Sequence, residues 1–113
     1  MEIATLDGFA FVDCYFHGFA ADPLLSKINL RTEAYFPGFQ NGGERKLGIL
    51  SITLDEITDL QANIRPPFTY DLEANEVFEM TLKSGDGGYD FSVTSDYLAL
   101  SIKCKQVSLE ESQ

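Results

Sequence analysis

The stretch Asp13-Cys14-Tyr15-Phe16-His17-Gly18-Phe19 gathers the single histidine of the chain, one of its two cysteines and an acid. Those residue types support two chemistries. Cys14-x-x-His17 has the spacing of a metal-ligand pair, and a histidine near an acid can serve as a general base. Each needs further groups. A structural zinc takes about four ligands, and the remaining soft donor is Cys104, with Asp13 as an oxygen donor. Ser–His–acid catalysis needs a serine in a nucleophile turn, and no G-x-S-x-G is present. The glycine-rich runs "GFQNGG" and "SGDGG" are not followed by a Lys-Ser/Thr pair and a helix, so neither is a phosphate loop. "DGGYD", Asp86 to Asp90, lacks the alternating oxygen ligands and terminal Glu of a calcium loop. Residues three apart on a strand face opposite sides. Cys14 and His17 therefore diverge unless the chain bends at Gly18. Cys14 reads as a small core residue. His17 reads as a strand-end histidine bonded to backbone or to a carboxylate. The expectation is no catalytic residue, no metal and no cofactor.

The elements around that stretch alternate with period two, the period of strands. In "YLALSIKCK", Leu98, Leu100, Ile102 and Cys104 share one side and Ala99, Ser101, Lys103 and Lys105 the other. "EVFEMTLKS" sets Phe78, Met80 and Leu82 against Glu79, Thr81 and Lys83, and "YDFSVTS" sets Tyr89, Phe91 and Val93 inward. The intervening "SGDGG" supplies positive-φ positions, so 76–83 and 89–94 form a hairpin. "SKINLRTEAYF" is a long strand with Ile28, Leu30, Thr32 and Ala34 on one face. "KLGILSITL" is another, with Leu50, Ile52 and Leu54 aligned. Residues 55–64 fit a helix through Leu54, Ile57, Leu60 and Ile64, or a strand through Leu60, Ala62 and Ile64 with a bend at Asp55-Glu56. The strand is preferred. Asp22 before Pro23 suits the cap of a single helical turn, and Pro66-Pro67 breaks regular structure. The expected fold is mainly β: an antiparallel sandwich or small barrel of six to seven strands with at most one short helix, in one domain over 1–113.

Charge is the strongest global signal. Eighteen acids oppose eight bases, a net −10, which repels nucleic acid and anionic membrane. Between Asp55 and Asp96 ten acids meet two bases, Arg65 and Lys83. The first residues, "MEIATLDGFAF", have no basic n-region and no continuous apolar run, so they are not expected to be a signal peptide, and apolar runs fall far short of a membrane span. Two distant cysteines make no disulfide framework, so a reducing compartment and free thiols are expected. If Phe78, Met80 and Leu82 face inward, Glu79 faces out. If Tyr89, Phe91 and Val93 face inward, Asp90 faces out beside it. Asp71, Glu73 and Asp86 extend the same acidic surface, which solubilises the chain or receives a basic partner.

The succession "YFHGF", "LSKINLRTEAYF", "LGILSITLDEITDL", "GGYDFSV" and "YLALSIKCKQVSLE" resembles certain immunity proteins of bacterial polymorphic toxin systems, and uncharacterised bacterial domains related to them. In those proteins Asp and Ala typically follow the histidine. Gly18 and Phe19 stand there in this chain, so no role passes to His17. The resemblance implies a cytoplasmic, non-enzymatic protein that binds and blocks a toxin. Its partner would be a basic protein such as a toxin domain. The alternative is a small-ligand-binding or enzymatic β domain, with Phe9, Phe11, Tyr15, Phe16 and Phe19 lining a pocket.

Overall fold

The computed structural model describes residues 5–6, 8–11, 13–36, 47–64, 76–85, 87–96 and 98–112, with Phe78 described by its backbone alone. Alternation along these segments becomes six strands: β1 (Phe16–Asp22), β2 (Lys27–Tyr35), β3 (Leu47–Ile64), β4 (Val77–Gly85), β5 (Gly88–Ser95) and β6 (Leu98–Ser112). They form one sheet in the order β1-β2-β3-β6-β5-β4, antiparallel throughout. No helix occurs among the described residues, and none is long and apolar enough to cross a membrane. The mainly β, antiparallel expectation holds, with the lower strand count.

Two long strands shape the sheet. β3 pairs with β2 through residues 47–54 and with β6 along nearly its whole length. Its second half pairs with β6, and on the other side the Ile57 amide donates to the Ser26 carbonyl at 3.1 Å. β6 likewise pairs with β5 through residues 99–104 only. One half-sheet is thus β1, β2, the start of β3 and the end of β6. The other is the end of β3, the start of β6, β5 and β4. Glu56 lies between the halves with φ of 53°, and the register with β6 shifts between Ile57 and Asp59. A left-handed residue plus a bulge bends the strand and raises its twist. The expected bend at Asp55-Glu56 is therefore present, within a continuous strand and not at a helix start.

Both half-sheets supply one core. Ile28, Leu30, Leu50, Ile52 and Leu54 from the first meet Phe91, Val93, Leu100, Ile102 and Cys104 from the second. All are buried, and they are the residues that alternation assigned inward. Thr32 shares that face and is fully buried, its hydroxyl reaching the Glu33 carbonyl oxygen at 3.0 Å. Burial of each large aliphatic side chain stabilises the fold by about 1.5–3 kcal/mol.

The hairpin from β4 to β5 closes with Gly85 opposite Gly88 and a φ of 78° at Gly87. At the start of β4 the register shifts between Val77 and Glu79. Val77 is buried, Met80 and Leu82 pack partly against the core, and Glu79 is exposed. Asp22 does act as a cap, its Oδ1 accepting from the Leu24 and Leu25 amides at 3.1 and 3.3 Å. The segment it caps is the β1–β2 turn and not a helical turn. Among the described residues the chain ahead of β1 meets the start of β4 at an antiparallel bridge of Tyr15 with Glu76, where the Val77 amide donates to the Cys14 carbonyl at 2.9 Å.

Candidate functional site

The opening stretch bends one residue before the glycine. Phe16 pairs with Thr32 and Gly18 with Arg31, leaving His17 as the bulged residue. Gly18, at φ of 120°, takes up the distortion. The bulge turns Phe16 into the core and leaves His17 on the surface. Its Nε2 lies 3.4 Å from Oε2 of Glu33 on β2, and Oε1 of the same carboxylate accepts from the Tyr15 amide at 3.4 Å. The histidine thus has a carboxylate partner, as read from the sequence. The identity of that partner was not legible, because Glu33 lies sixteen residues away.

Cys14 points the other way. It is fully buried, and burial pushes its thiol up to about 11, with the charges of Glu33, Asp13 and Glu76 adding to the rise. Cys104 is buried on β6 and raised to about 11, again chiefly by burial. Both are free thiols. A thiol held protonated in the core is a poor nucleophile and a poor metal ligand. No group of three or more His, Cys, Asp and Glu able to hold a metal ion occurs among the described residues.

The five aromatics of the pocket reading disperse. Phe16 fills the core, and Phe9 and Phe11 pack partly against it. Phe9 meets Phe36 edge-on, with centroids 6.1 Å apart. Tyr15 is half-buried at the bridge to Glu76, and Phe19 is 38% exposed on β1. A shallow depression of about 220 Å³ beside His17 is lined by Phe19, Ala20, Asn29 and Arg31. The Asn29 amide there is already committed to the Ser51 and Thr53 hydroxyls at 3.0 and 2.9 Å.

Of the acids assigned to partner binding, Asp71, Glu73 and Asp86 lie outside the described residues. Glu79 and Asp90 are both exposed. Their register places them on the same side of the hairpin: Glu79 opposite Thr94, Asp90 opposite Lys83. They are four residues apart along the ladder, about 13 Å. β6 adds what local sequence did not show. Asp90 also lies opposite Lys103, and Lys103 lies opposite Asp59 on β3. One row across four strands thus reads Lys83, Asp90, Lys103, Asp59. Directly opposed side chains on a ladder are about 5 Å apart at Cβ, so Asp90 sits between two cations. The next row, Thr81, Ser92, Ser101 and Gln61, is uncharged, and the row after it, Glu79, Thr94, Ala99 and Asn63, carries Glu79 as its one charge. Thr81 and Ser92 hydroxyls bond at 2.6 Å. This outer face is therefore polar with alternating charge at one end and an unopposed acid, Glu79, at the other.

Among known proteins, no family profile matches the chain and no curated protein matches it.

Proposed function

We propose that this chain is a non-enzymatic, cytoplasmic binding protein of bacterial immunity type that blocks a basic toxin domain. Its sheet folds over itself as an open sandwich and offers a polar outer face to the partner. The observation that carries the reading is Glu79, exposed and with no cation opposite it on the outer face of the β4–β5 hairpin, in a chain of net −10; Asp90 shares that face and is exposed, with Lys83 and Lys103 opposite it. The sequence reading adds Asp71, Glu73 and Asp86, which lie outside the described residues. An acidic face raises the encounter rate with a cationic one and suppresses binding of nucleic acid and membrane. What speaks against the ligand-pocket alternative is the dispersal of Phe9, Phe11, Tyr15, Phe16 and Phe19.

The ladder refines how this is tested. Reversing Asp90 to Lys would set three lysines in one row, and like charges directly opposed destabilise a sheet. Glu79→Lys combined with Asp90→Asn removes the negative charge without that effect. The measurement is the association rate with a basic toxin domain that the protein is found to bind, as a function of salt. Electrostatic steering amounts to about 10-fold or more. The double variant should associate that much more slowly at low salt and lose most of the salt dependence, while its thermal unfolding stays near that of the parent. An unchanged rate at low salt would leave the acids with a solubilising role alone.

A further inference from the structure

The bulge at His17 leaves a bowl on the outer face of the first half-sheet. Asn29 and Arg31 alternate with the buried Ile28, Leu30 and Thr32, so they face outward. Residues opposed on a ladder share a face. Gly18, opposite Arg31, and Ala20, opposite Asn29, therefore lie on that outer face with little or no side chain. A Cβ built on Gly18 meets nothing within 4 Å. The bowl holds about 220 Å³ and is lined by His17, Gly18, Phe19, Ala20, Asn29 and Arg31.

Arg31 is the cation there that the protein leaves unmatched. Five of the eight bases are described: Lys27, Arg31, Lys83, Lys103 and Lys105. Four of them have an acid across the ladder. Lys27 meets Asp55 at 3.7 Å. Lys83 and Lys103 lie opposite Asp90, and Lys103 also lies opposite Asp59. Lys105 falls level with Glu56, between the Cys104–Ile57 and Gln106–Asp55 pairs. Arg31 has Gly18 on one side and Ser51 on the other. It is exposed and makes no ion pair among the described residues. The acid next along its own face, Glu33, is engaged by His17 Nε2 and by the Tyr15 amide, both at 3.4 Å. Acids outnumber bases 18 to 8 in this chain, so a guanidinium without one, beside a concavity, is placed for an acid that comes from outside.

We infer that this bowl binds a small monocarboxylate, its two oxygens seated on the fork of the Arg31 guanidinium. That pairing makes two parallel charge-assisted hydrogen bonds. Asn29 has no donor to spare, because its Nδ2 serves both Ser51 and Thr53. Arg31 is the one permanent cation lining the bowl, so a single negative charge is what the bowl matches. A phosphate group brings closer to two, against a chain of net −10. Size sets the rest of the ligand. A cavity of about 150 Å³ admits benzene, so this one takes a carboxylate on a body of that size. The site lies on the other half-sheet from Glu79 and Asp90 and does not rest on the toxin-blocking reading.

Benzoate is the probe, and the Arg31 Nε–H signal in proton–nitrogen correlation spectra of the full chain is the readout, with ionic strength held constant by sodium chloride. Benzoate should shift that signal and the Gly18 amide along one saturating, millimolar curve. Benzyl alcohol keeps the ring without the carboxylate and should bind about 10-fold more weakly or not at all. Inorganic phosphate should also bind more weakly. Arg31→Lys keeps the charge and loses the fork, and should weaken benzoate by about 10-fold. Ala20→Leu, at an exposed position, should keep the fold by circular dichroism and fill the bowl without altering any charge. The absence of a saturable shift at Arg31 overturns the proposal. So does an Arg31→Lys or Ala20→Leu variant that binds benzoate as the parent does, which would make Arg31 a bare surface charge. Phosphate binding as tightly as benzoate would overturn the carboxylate assignment.

Discussion

A Cβ built on Gly88 falls 2.5 Å from the carbonyl oxygen of Cys104. The hairpin turn is pressed onto β6 so closely that only hydrogen fits at this position. Backbone cannot yield as a flexible side chain does. Gly88→Ala should lower stability by about 1–3 kcal/mol, the usual cost of overpacking. Gly85, its partner across the turn, meets nothing within 4 Å, so Gly85→Ala should stay within about 0.5 kcal/mol of the parent. Urea unfolding of the two variants separates a close approach from a general need for glycine.

Alkaline stability should track the two buried thiols. In the unfolded chain each ionises near its usual 9.0, and in the native protein near 11. Below pH 9 both states hold the proton and the thiols add no pH dependence. Above it the unfolded state releases a proton that the native state keeps, so stability falls until about pH 11. A two-unit difference amounts to about 3 kcal/mol per thiol. Denaturation midpoints of Cys14→Ala and Cys104→Ala should decline less steeply than the parent's between pH 9 and 11. Identical slopes would show that the thiols ionise in the native state.

Slow labelling of both cysteines in native protein, and rapid labelling after denaturation, is expected from the same burial. Immediate native reaction of either would contradict its place in the core.

The His17–Glu33 pair is partly exposed, with side chains 28% and 25% accessible. Partly exposed ion pairs contribute about 0–1 kcal/mol. His17→Ala should therefore cost under about 1 kcal/mol in thermal or urea unfolding. Protein purified without chelator should carry substoichiometric zinc, iron and copper. A full equivalent lost on His17→Ala would reassign the bulge as a metal site.

Leu54 and Leu60 lie on the same strand, one fully buried and the other 46% exposed. Leu54→Ala should cost about 2–5 kcal/mol through the cavity left behind. Leu60→Ala, at a half-exposed position, should cost far less. Comparable losses in urea unfolding would place Leu60 inside the core.

Alternation alone located the inward faces of β2, the first half of β3, β5 and the first half of β6: Ile28 to Ala34, Leu50 to Leu54, Phe91 and Val93, Leu98 to Cys104; in β4 it missed Val77, which the register shift before Glu79 turns into the core. It could do so because a half-buried strand writes its two faces into neighbouring residues, and that information is local. The glycines of "SGDGG" announced the hairpin for the same reason. The bend at Asp55-Glu56 was visible where the apolar phase breaks. Three features were not local and escaped. Glu33 reaches His17 only because β1 folds back on β2. Lys103 neutralises the row of Asp90 only because β6 inserts between β3 and β5, so a tally of charge along the chain overstated the acidity there. The exposure of Leu60 and Ile64 depends on β2 ending its pairing at Leu54, which leaves the same apolar spacing buried in the first half of β3 and open in the second. Side-chain spacing specifies which face of a strand is apolar. Which strands lie beside it, and how far they extend to cover that face, follows from the packing of the whole sheet.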